Sequence, residues 1–360
     1  MRLLRRLGLF AAIGLLSGCK MVVLDPAGDV AAQQGDLIVY ATVLMLIVIL
    51  PVMALTIFFA FHYRASNKQA AYEPDWDHSI SLEIVVWSVP LAIIICLAGL
   101  TWVATHRLEP YNNLKRLSAE LPVDENVKPL TINVVALDWK WLFIYPEYGI
   151  ATVNEVAAVV NRPIEFKLTS ATVMNSFYIP ALAGQIYAMA GMQTELNAVM
   201  NAPGTYEGFS ANYSGAGFSQ MRFDFHGLDN ADFDAWVDQV KASGDMLDRD
   251  AYVELEKQSV GHSVTYFGSV EDGLWTRILN MCAGNDALCL NDMMMVDALG
   301  GGGLQGLYNR DLYKNICSVD DSRAVLAMLR PGLKDRSAEI LAAINPAGAY
   351  VVQATPAVTK

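Results

Sequence analysis

Two long apolar runs stand out along the chain. Leu37 to Phe61 passes 25 positions without a charge, and Ile84 to Ala104 passes 21. At about 1.5 Å per helical residue, each is long enough to cross a hydrocarbon core of about 30 Å. The pattern predicts two membrane-spanning helices joined by a short loop, His62 to Glu83. Pro51 and Pro90 fall inside the two runs. Lipid-embedded helices tolerate proline where neighbouring helices satisfy the freed carbonyls, so both point to packing against other subunits. After residue 130 the rhythm shortens. Thr131–Val135, Trp139–Tyr145, Ile164–Leu168, Ser176–Ile179, Gln193–Leu196 and Thr205–Phe209 are short runs rich in Val, Ile, Thr and aromatics, separated by Pro, Gly and Asn. Roughly 100 residues of such pattern make one β-sandwich or barrel domain.

The period changes again after Leu228. Ala231–Ala242 places Phe233, Trp236, Val237 and Val240 at helical spacing, which predicts a helical annex behind the β domain. Further helices are expected at Asp250–Glu256, Gly273–Cys282 and Ala324–Ile344, with Gly300 to Gly303 marking a break. At the other end, Arg2, Arg5 and Arg6 precede an apolar run from Leu7 to Leu16 and then Ser17-Gly18-Cys19. This is the charge, apolar and small-residue order of a secretory signal. Its ending resembles a bacterial lipobox. Cleavage would leave Cys19 as the first mature residue, carrying lipid (palmitate among it) on its thiol and amine. Six segments follow: a signal peptide over 1–18, a lipidated periplasmic segment over 19–36, a transmembrane hairpin over 37–106, a β domain over 107–228, the helical annex over 229–300 and an extension over 301–360.

The 54% hydrophobic content over 360 residues exceeds that of an ordinary soluble protein. A lipidated Cys19 on the outer side makes the loop after the first span cytoplasmic; the positive-inside count adds little, since the loop holds only Arg64 and Lys68. Of the net charge of −12, most lies beyond the second span, where 19 Lys and Arg face 30 Asp and Glu. Such an acidic surface disfavours nucleic acid and keeps a domain soluble. Three cysteines fall in this outer part: Cys282, Cys289 and Cys317. Outside the cytoplasm one pair is expected to form a disulfide, with three pairings open.

The stretch Ser210-Ala-Asn-Tyr-Ser-Gly-Ala-Gly-Phe-Ser-Gln-Met221 has the outline of a copper-binding loop with other residues at the ligand positions. Copper selects thiolate, thioether and imidazole donors, and Met221 alone qualifies. No histidine lies between His106 and His226, and no cysteine between Cys96 and Cys282. Two spans, an external β domain and this loop outline together resemble subunit II of the haem-copper respiratory oxidases. Copper-bearing members carry Cys-x-Glu-x-Cys-x3-His-x2-Met there, with an earlier histidine before Ser-Phe. On this chain the cysteines fall at Ser210 and Ser214, the glutamate at Asn212, the later histidine at Phe218 and the earlier one at Asn175; the methionine matches Met221. The pattern looks like the quinol-oxidising branch of the family, that of cytochrome bo-type ubiquinol oxidase. Gly18-Cys19, Leu24-Asp-Pro26, Tyr63-Arg-Ala-Ser-Asn-Lys68, Glu83-Ile-Val-Val-Trp-Ser-Val-Pro90, Leu137-Asp-Trp-Lys-Trp141 and Ile186-Tyr-Ala-Met-Ala-Gly-Met-Gln-Thr194 carry the same resemblance.

The resemblance implies a cupredoxin-like β-sandwich without its dinuclear copper, and a non-catalytic subunit in the bacterial inner membrane. No cofactor is then expected on this chain. Haems, copper and quinol oxidation belong to subunit I, and subunits III and IV join the complex. It also implies a role for Glu83 at the mouth of a proton channel, although a carboxylate in a first helical turn equally suits the helix dipole. Trp139 and Trp141 are expected on one face of a strand, as core or contact surface. His226 and His262 read as surface residues, and Met293 to Met295 as packing. A cytochrome c oxidase subunit needs copper ligands that are missing here. A free-standing cupredoxin-like lipoprotein is the reading from another class. The choice between ubiquinol and menaquinol stays open.

Overall fold

A computed structural model describes residues 21–71, 75–124, 127–284, 289–291 and 294. The signal segment with Cys19, the extension over 301–360 with Cys317 and the helix expected at 324–344, and Met293 and Met295 lie outside the described residues. The two apolar runs form α1 (Asp29–His62) and α2 (Ile80–Arg107). Helix α1 starts eight residues before its apolar run, inside the segment expected to be only a lipidated leader. The reason is tertiary. Asp29, Val30, Ala31 and Gly35 are buried, Val30 in the core of the β domain and Gly35 against Val23 O, and Arg116 Nε holds the Asp29 carboxylate at 2.9 Å. The amides of Ala27 and Gly28 both donate to Ala181 O, at 2.9 and 2.8 Å. Here the backbones approach so closely that a Cβ on Gly28 would stand 2.6 Å from Leu182 O. The spanning helix is therefore bolted to the domain it carries.

The β domain comprises β1 (Leu130–Leu137), β2 (Lys140–Tyr145), β3 (Ile150–Val153), β4 (Glu155–Val159), β5 (Pro163–Ser170), β6 (Asn175–Tyr178), β7 (Ile186–Ala188), β8 (Thr194–Val199), β9 (Gly204–Ser210) and β10 (Arg222–Leu228). The annex adds α3 (Asn230–Lys241), β11 (Met246–Leu247), α4 (Arg249–Glu256), β12 (Thr265–Phe267), β13 (Ser269–Val270) and α5 (Leu274–Leu279). One sheet runs β12-β3-β2-β1-β5-β8 and the other β4-β10-β9-β6-β7; β11 and β13 pair by themselves. The β1–β5 and β4–β10 pairs are parallel and their neighbours antiparallel. Two sheets enclose a core in which Trp141, Phe143, Phe166, Phe177 and Phe223 meet, with Phe177 stacked on Phe223 at 5.3 Å between ring centres. Tyr145 crosses between the sheets: its hydroxyl donates to Ala157 O at 3.0 Å and accepts from Ala157 N at 2.9 Å. Burial raises its pKa far out of reach, which keeps that donor in place.

The annex covers the outer face of the first sheet. Leu247, Tyr252, Leu255, Leu274 and Ile278 pack on Val135, Leu137, Leu142, Ile144 and Val153, so every residue of β2 is buried. Asp229 and Asp248 cap α3 and α4 by accepting from Asp232 N and Ala251 N at 2.9 and 2.8 Å. The helix expected over Gly273–Cys282 stops at Leu279, because Cys282 turns into a disulfide with Cys289. Strand β2 begins at Lys140, which leaves Trp139 in the turn between β1 and β2. Trp139 still packs against the inner core that contains Trp141, so the two share a side although only Trp141 lies in the strand.

His226 and His262 are half-buried rather than on the surface. Glu155 on β4 accepts from Trp236 Nε1 at 2.8 Å and from Tyr266 OH at 2.7 Å, and faces His226 Nε2 at 3.6 Å. The carboxylate thereby joins α3, β10 and β12. Burial opposes its ionisation, but the bonds from His226, Trp236 and Tyr266 outweigh burial and hold it below the usual carboxylate range. The same contact outweighs burial at His226 and raises its pKa. A depressed carboxylate stabilises the fold above its unfolded value of about 4.3, and that contribution is lost as pH falls through the folded value. A raised imidazole stabilises below about 6.5, with loss as pH rises through the folded value. Replacing Glu155 with Gln should therefore remove both slopes. Thermal unfolding of the purified protein from about pH 2 to about pH 8 reads this, and a pH dependence unchanged from the parent would contradict it.

Candidate functional site

Strand β9 ends at Ser210, and the chain then loops through 211–217 into a single 3-10 turn at Phe218–Gln220 before β10. Ser210 N donates to Met221 O at 3.2 Å, and Ala211 N to Ser176 O at 2.9 Å, so both ends of the loop are stitched to the sheet. Asn175, at the head of β6, lies beside them. Its Oδ1 accepts from Ser210 Oγ at 3.2 Å, while its Nδ2 donates to Val173 O at 3.0 Å. Ser210 Oγ is also 3.2 Å from Asn212 O, and Asn212 Nδ2 donates to Met174 O at 3.2 Å. Asn175, Ser210 and Met221 are all buried. The fold thus brings together Asn175, Ser210, Asn212 and Met221 as the sequence expects. Phe218 departs from this group and sets its ring edge-on to the exposed Tyr213, 5.7 Å away. The Ser214 hydroxyl is buried with no partner among the described residues.

The donors do not suit copper. The amides and the Ser210 hydroxyl are hard, neutral groups already spent on one another and on carbonyls, and one thioether is no substitute for two thiolates and two imidazoles. Among the described residues no group of three or more His, Cys, Asp and Glu could hold a metal.

Trp139 closes the loop from above. Its indole Nε1 donates to Ser214 O at 3.0 Å, and its ring lies so close that a Cβ on Gly217 would stand 2.5 Å from it. The turn that presents Trp139 is held from behind by Lys140, which is buried. Lys140 Nζ donates to Lys257 O and Ser259 Oγ, each at 2.7 Å, and to Asp138 O at 3.3 Å. Burial lowers its pKa, partly offset by the Asp138 charge. Ser259 N pairs with Asp138 O and Trp139 N with Ser259 O, at 2.9 and 3.2 Å. The annex therefore fixes the loop through Lys140 and Trp139. A lysine set in an otherwise apolar strand is the signal in the sequence that could have identified this clamp.

At the far end of the molecule, Glu83 sits in the first turn of α2, its amide donating to Ser79 O at 3.0 Å. His78 Nδ1 lies 2.7 Å from Glu83 Oε1, and both side chains are more than half exposed. Sequence reading singled out Glu83 and missed His78, because an ion pair across a helix start is set by the turn of the loop.

Adding a methyl at Gly217 drives it into a rigid ring. Gly217→Ala should lower the stability of the β domain by about 1–3 kcal/mol, as overpacking does. Thermal melting of the complex followed by tryptophan fluorescence measures it, and an unshifted melt would show the loop free to move from Trp139.

Comparison with known proteins extends the picture. Residues 241–286, which supply β12 and the second core, match the family described as the COX aromatic rich motif. The chain is 48% identical over 275 residues to cytochrome bo(3) ubiquinol oxidase subunit 2 of Pseudomonas putida, covering 76% of this chain and 85% of that one. The subunit of the same name from Pseudomonas aeruginosa is 51% identical over 265 residues, covering 74% and 77%. Among solved structures, the periplasmic domain of subunit II of cytochrome oxidase (CoxB) of Bradyrhizobium japonicum is similar over 32% of this chain and 94% of that one, with 24% identity and a TM-score of 0.31. With about half its residues shared over three quarters of its length, the chain belongs to the family of subunit 2 of cytochrome bo(3)-type ubiquinol oxidases.

Proposed function

We propose that this chain is the subunit of a proton-translocating ubiquinol oxidase that supports the catalytic subunit I and helps protons reach it, while carrying no redox centre itself. The observation that carries this is the hydrogen-bonded set Asn175, Ser210 and Asn212, whose donors are satisfied by each other and by carbonyls. A copper relay has work to do when a one-electron, water-soluble donor docks outside. A quinol brings its electrons from within the membrane, so the sandwich can keep its shape with its cavity filled by amides. Haems, copper and quinol chemistry are assigned to subunit I, with subunits III and IV completing the complex. The chain is placed in the inner membrane with its β domain in the periplasm, tethered further by lipid on Cys19. Glu83, on the opposite side of the membrane, is assigned to proton uptake.

Purifying the tagged chain from native membrane should recover haem-bearing subunit I and oxygen uptake driven by ubiquinol. Faster uptake with reduced cytochrome c than with quinol would overturn the reading. For Glu83, the change to Gln keeps size and hydrogen bonding but cannot carry a proton. Glu83→Gln should slow quinol-driven turnover by on the order of tenfold or more with haem content intact; turnover equal to the parent across pH would remove the residue from the proton path.

A further inference from the structure

A cleft of about 210 Å³ opens where the two spanning helices meet the β domain, walled by the start of α1, the end of α2, the linker over 108–116 and β8. The sequence fixes its height. Arg107 stands three residues beyond Ala104, where the second charge-free run ends, and Gln33 and Gln34 stand four and three residues before Leu37, where the first begins. At about 1.5 Å per helical residue, these groups lie about 4–6 Å outside the hydrocarbon. A core of about 30 Å in a bilayer of about 40–45 Å leaves a headgroup layer about 5–7 Å deep on each side. The cleft therefore opens at the level of lipid phosphates. Trp102, whose carbonyl meets His106 Nδ1 in the cleft wall at 2.8 Å, and Tyr111 are both exposed, as the amphipathic aromatics that mark this depth are.

The walls are held by their own bonds. Asn197 donates to Pro110 O through its amide at 3.0 Å and through Nδ2 at 3.2 Å, and Asn112 Nδ2 donates to His106 O at 3.2 Å. Asp29 accepts from Arg116 Nε at 2.9 Å and from Gln33 Nε2 at 2.8 Å, so that carboxylate is already engaged. Arg107, Lys115 and Glu109 also line the cleft, and their side chains make no hydrogen bond or ion pair among the described residues. Two unpaired cations and one unpaired carboxylate in a ready-made cleft match a ligand that carries both signs.

We propose that this cleft binds the headgroup of a phospholipid from the leaflet on the side of the β domain, with Arg107 and Lys115 on its phosphodiester. Guanidinium can hold two phosphate oxygens at once, and the ammonium adds a point charge. Glu109 supplies a partner for a primary ammonium, so a phosphoethanolamine headgroup satisfies all three side chains. The cleft is too small to take acyl chains, which stay in the membrane. The lipid thereby joins α1, α2 and the β domain at the membrane surface, as headgroups do in basic pockets between spanning helices.

The test uses the assembled oxidase in mild detergent, with haem content per complex as the check on assembly. Native mass spectrometry, with collisional release of this subunit and whatever it holds, is run after addition of phosphatidylethanolamine. It compares the parent with Arg107→Gln, Lys115→Gln, both together, the charge-keeping Arg107→Lys, and Lys241→Gln on α3, away from the cleft. The parent subunit should leave with one glycerophospholipid bound. Each lost charge should weaken binding by on the order of tenfold, while Arg107→Lys should bind more tightly than Arg107→Gln and Lys241→Gln should match the parent. If the double variant assembles poorly, the two single variants carry the comparison. Lipid bound equally by the parent and the cleft variants would overturn the proposal. So would a parent subunit released without lipid, the outcome expected if a carboxylate of the catalytic subunit fills the cleft. Inorganic phosphate that displaced the lipid at equal concentration would show a site for the free anion and overturn it too.

Discussion

Covering the six-stranded sheet on both faces is the constraint from which the rest of the extramembrane structure follows. Its inner face meets the second sheet through Trp141, Phe143 and Phe166, and its outer face meets the annex through Val135, Leu142 and Ile144. A sheet buried on both sides has no polar face, which is why β2 is apolar except for Lys140. That single charge can enter because two carbonyls, of Asp138 and Lys257, and the Ser259 hydroxyl satisfy it. Burying an unpaired ammonium costs several kcal/mol or more, so the partners are a condition of the fold. By the same contacts the annex sets the position of Trp139 and, through it, the loop between β9 and β10.

The loop between β9 and β10 shows how buried polar side chains are accommodated by bonding one another. Asn175 and Ser210 are buried, and a buried amide or hydroxyl is tolerable only when bonded. Each finds the other; Asn175 Nδ2 also donates to Val173 O and Ser210 Oγ to Asn212 O. The sandwich keeps its geometry because both ends of the loop remain paired to β6 and β10. Away from the loop, Gly28, Asp29 and Arg116 lock the first helix to the β domain.

Much of this was legible in the chain. Charge-free length settles the spans, short alternating runs announce the sandwich, and the residues at 210, 212, 214 and 218 disclose the lost ligands. Family likeness, carried by runs such as those beginning at Glu83 and Leu137, located the proton-uptake candidate. The elements that escaped sequence reading have identifiable reasons. Strand β4 contains Ala157 and Ala158, poor strand formers held in place by pairing with β10 and by the Tyr145 hydroxyl, which bonds both backbone groups of Ala157. Asn154, at φ 58°, separates β3 from β4 and spends its side chain on Trp141 N and His262 O, a turn no period could announce.

What the sequence by itself determined is whatever depends on local composition: two spans, a β domain, a helical annex behind it, and a loop with oxygen and amide groups at positions where copper would need sulfur and imidazole. What only the tertiary structure decided is which distant groups meet. The three cysteines left their pairing open until the turn after α5 brought Cys282 to Cys289. His226 read as a surface residue until β4 and β10 ran parallel and set it against Glu155. His78 was one loop residue among several until the start of α2 placed it on Glu83. In each case the energy lies in a contact between segments, and such contacts exist only once the chain has closed on itself.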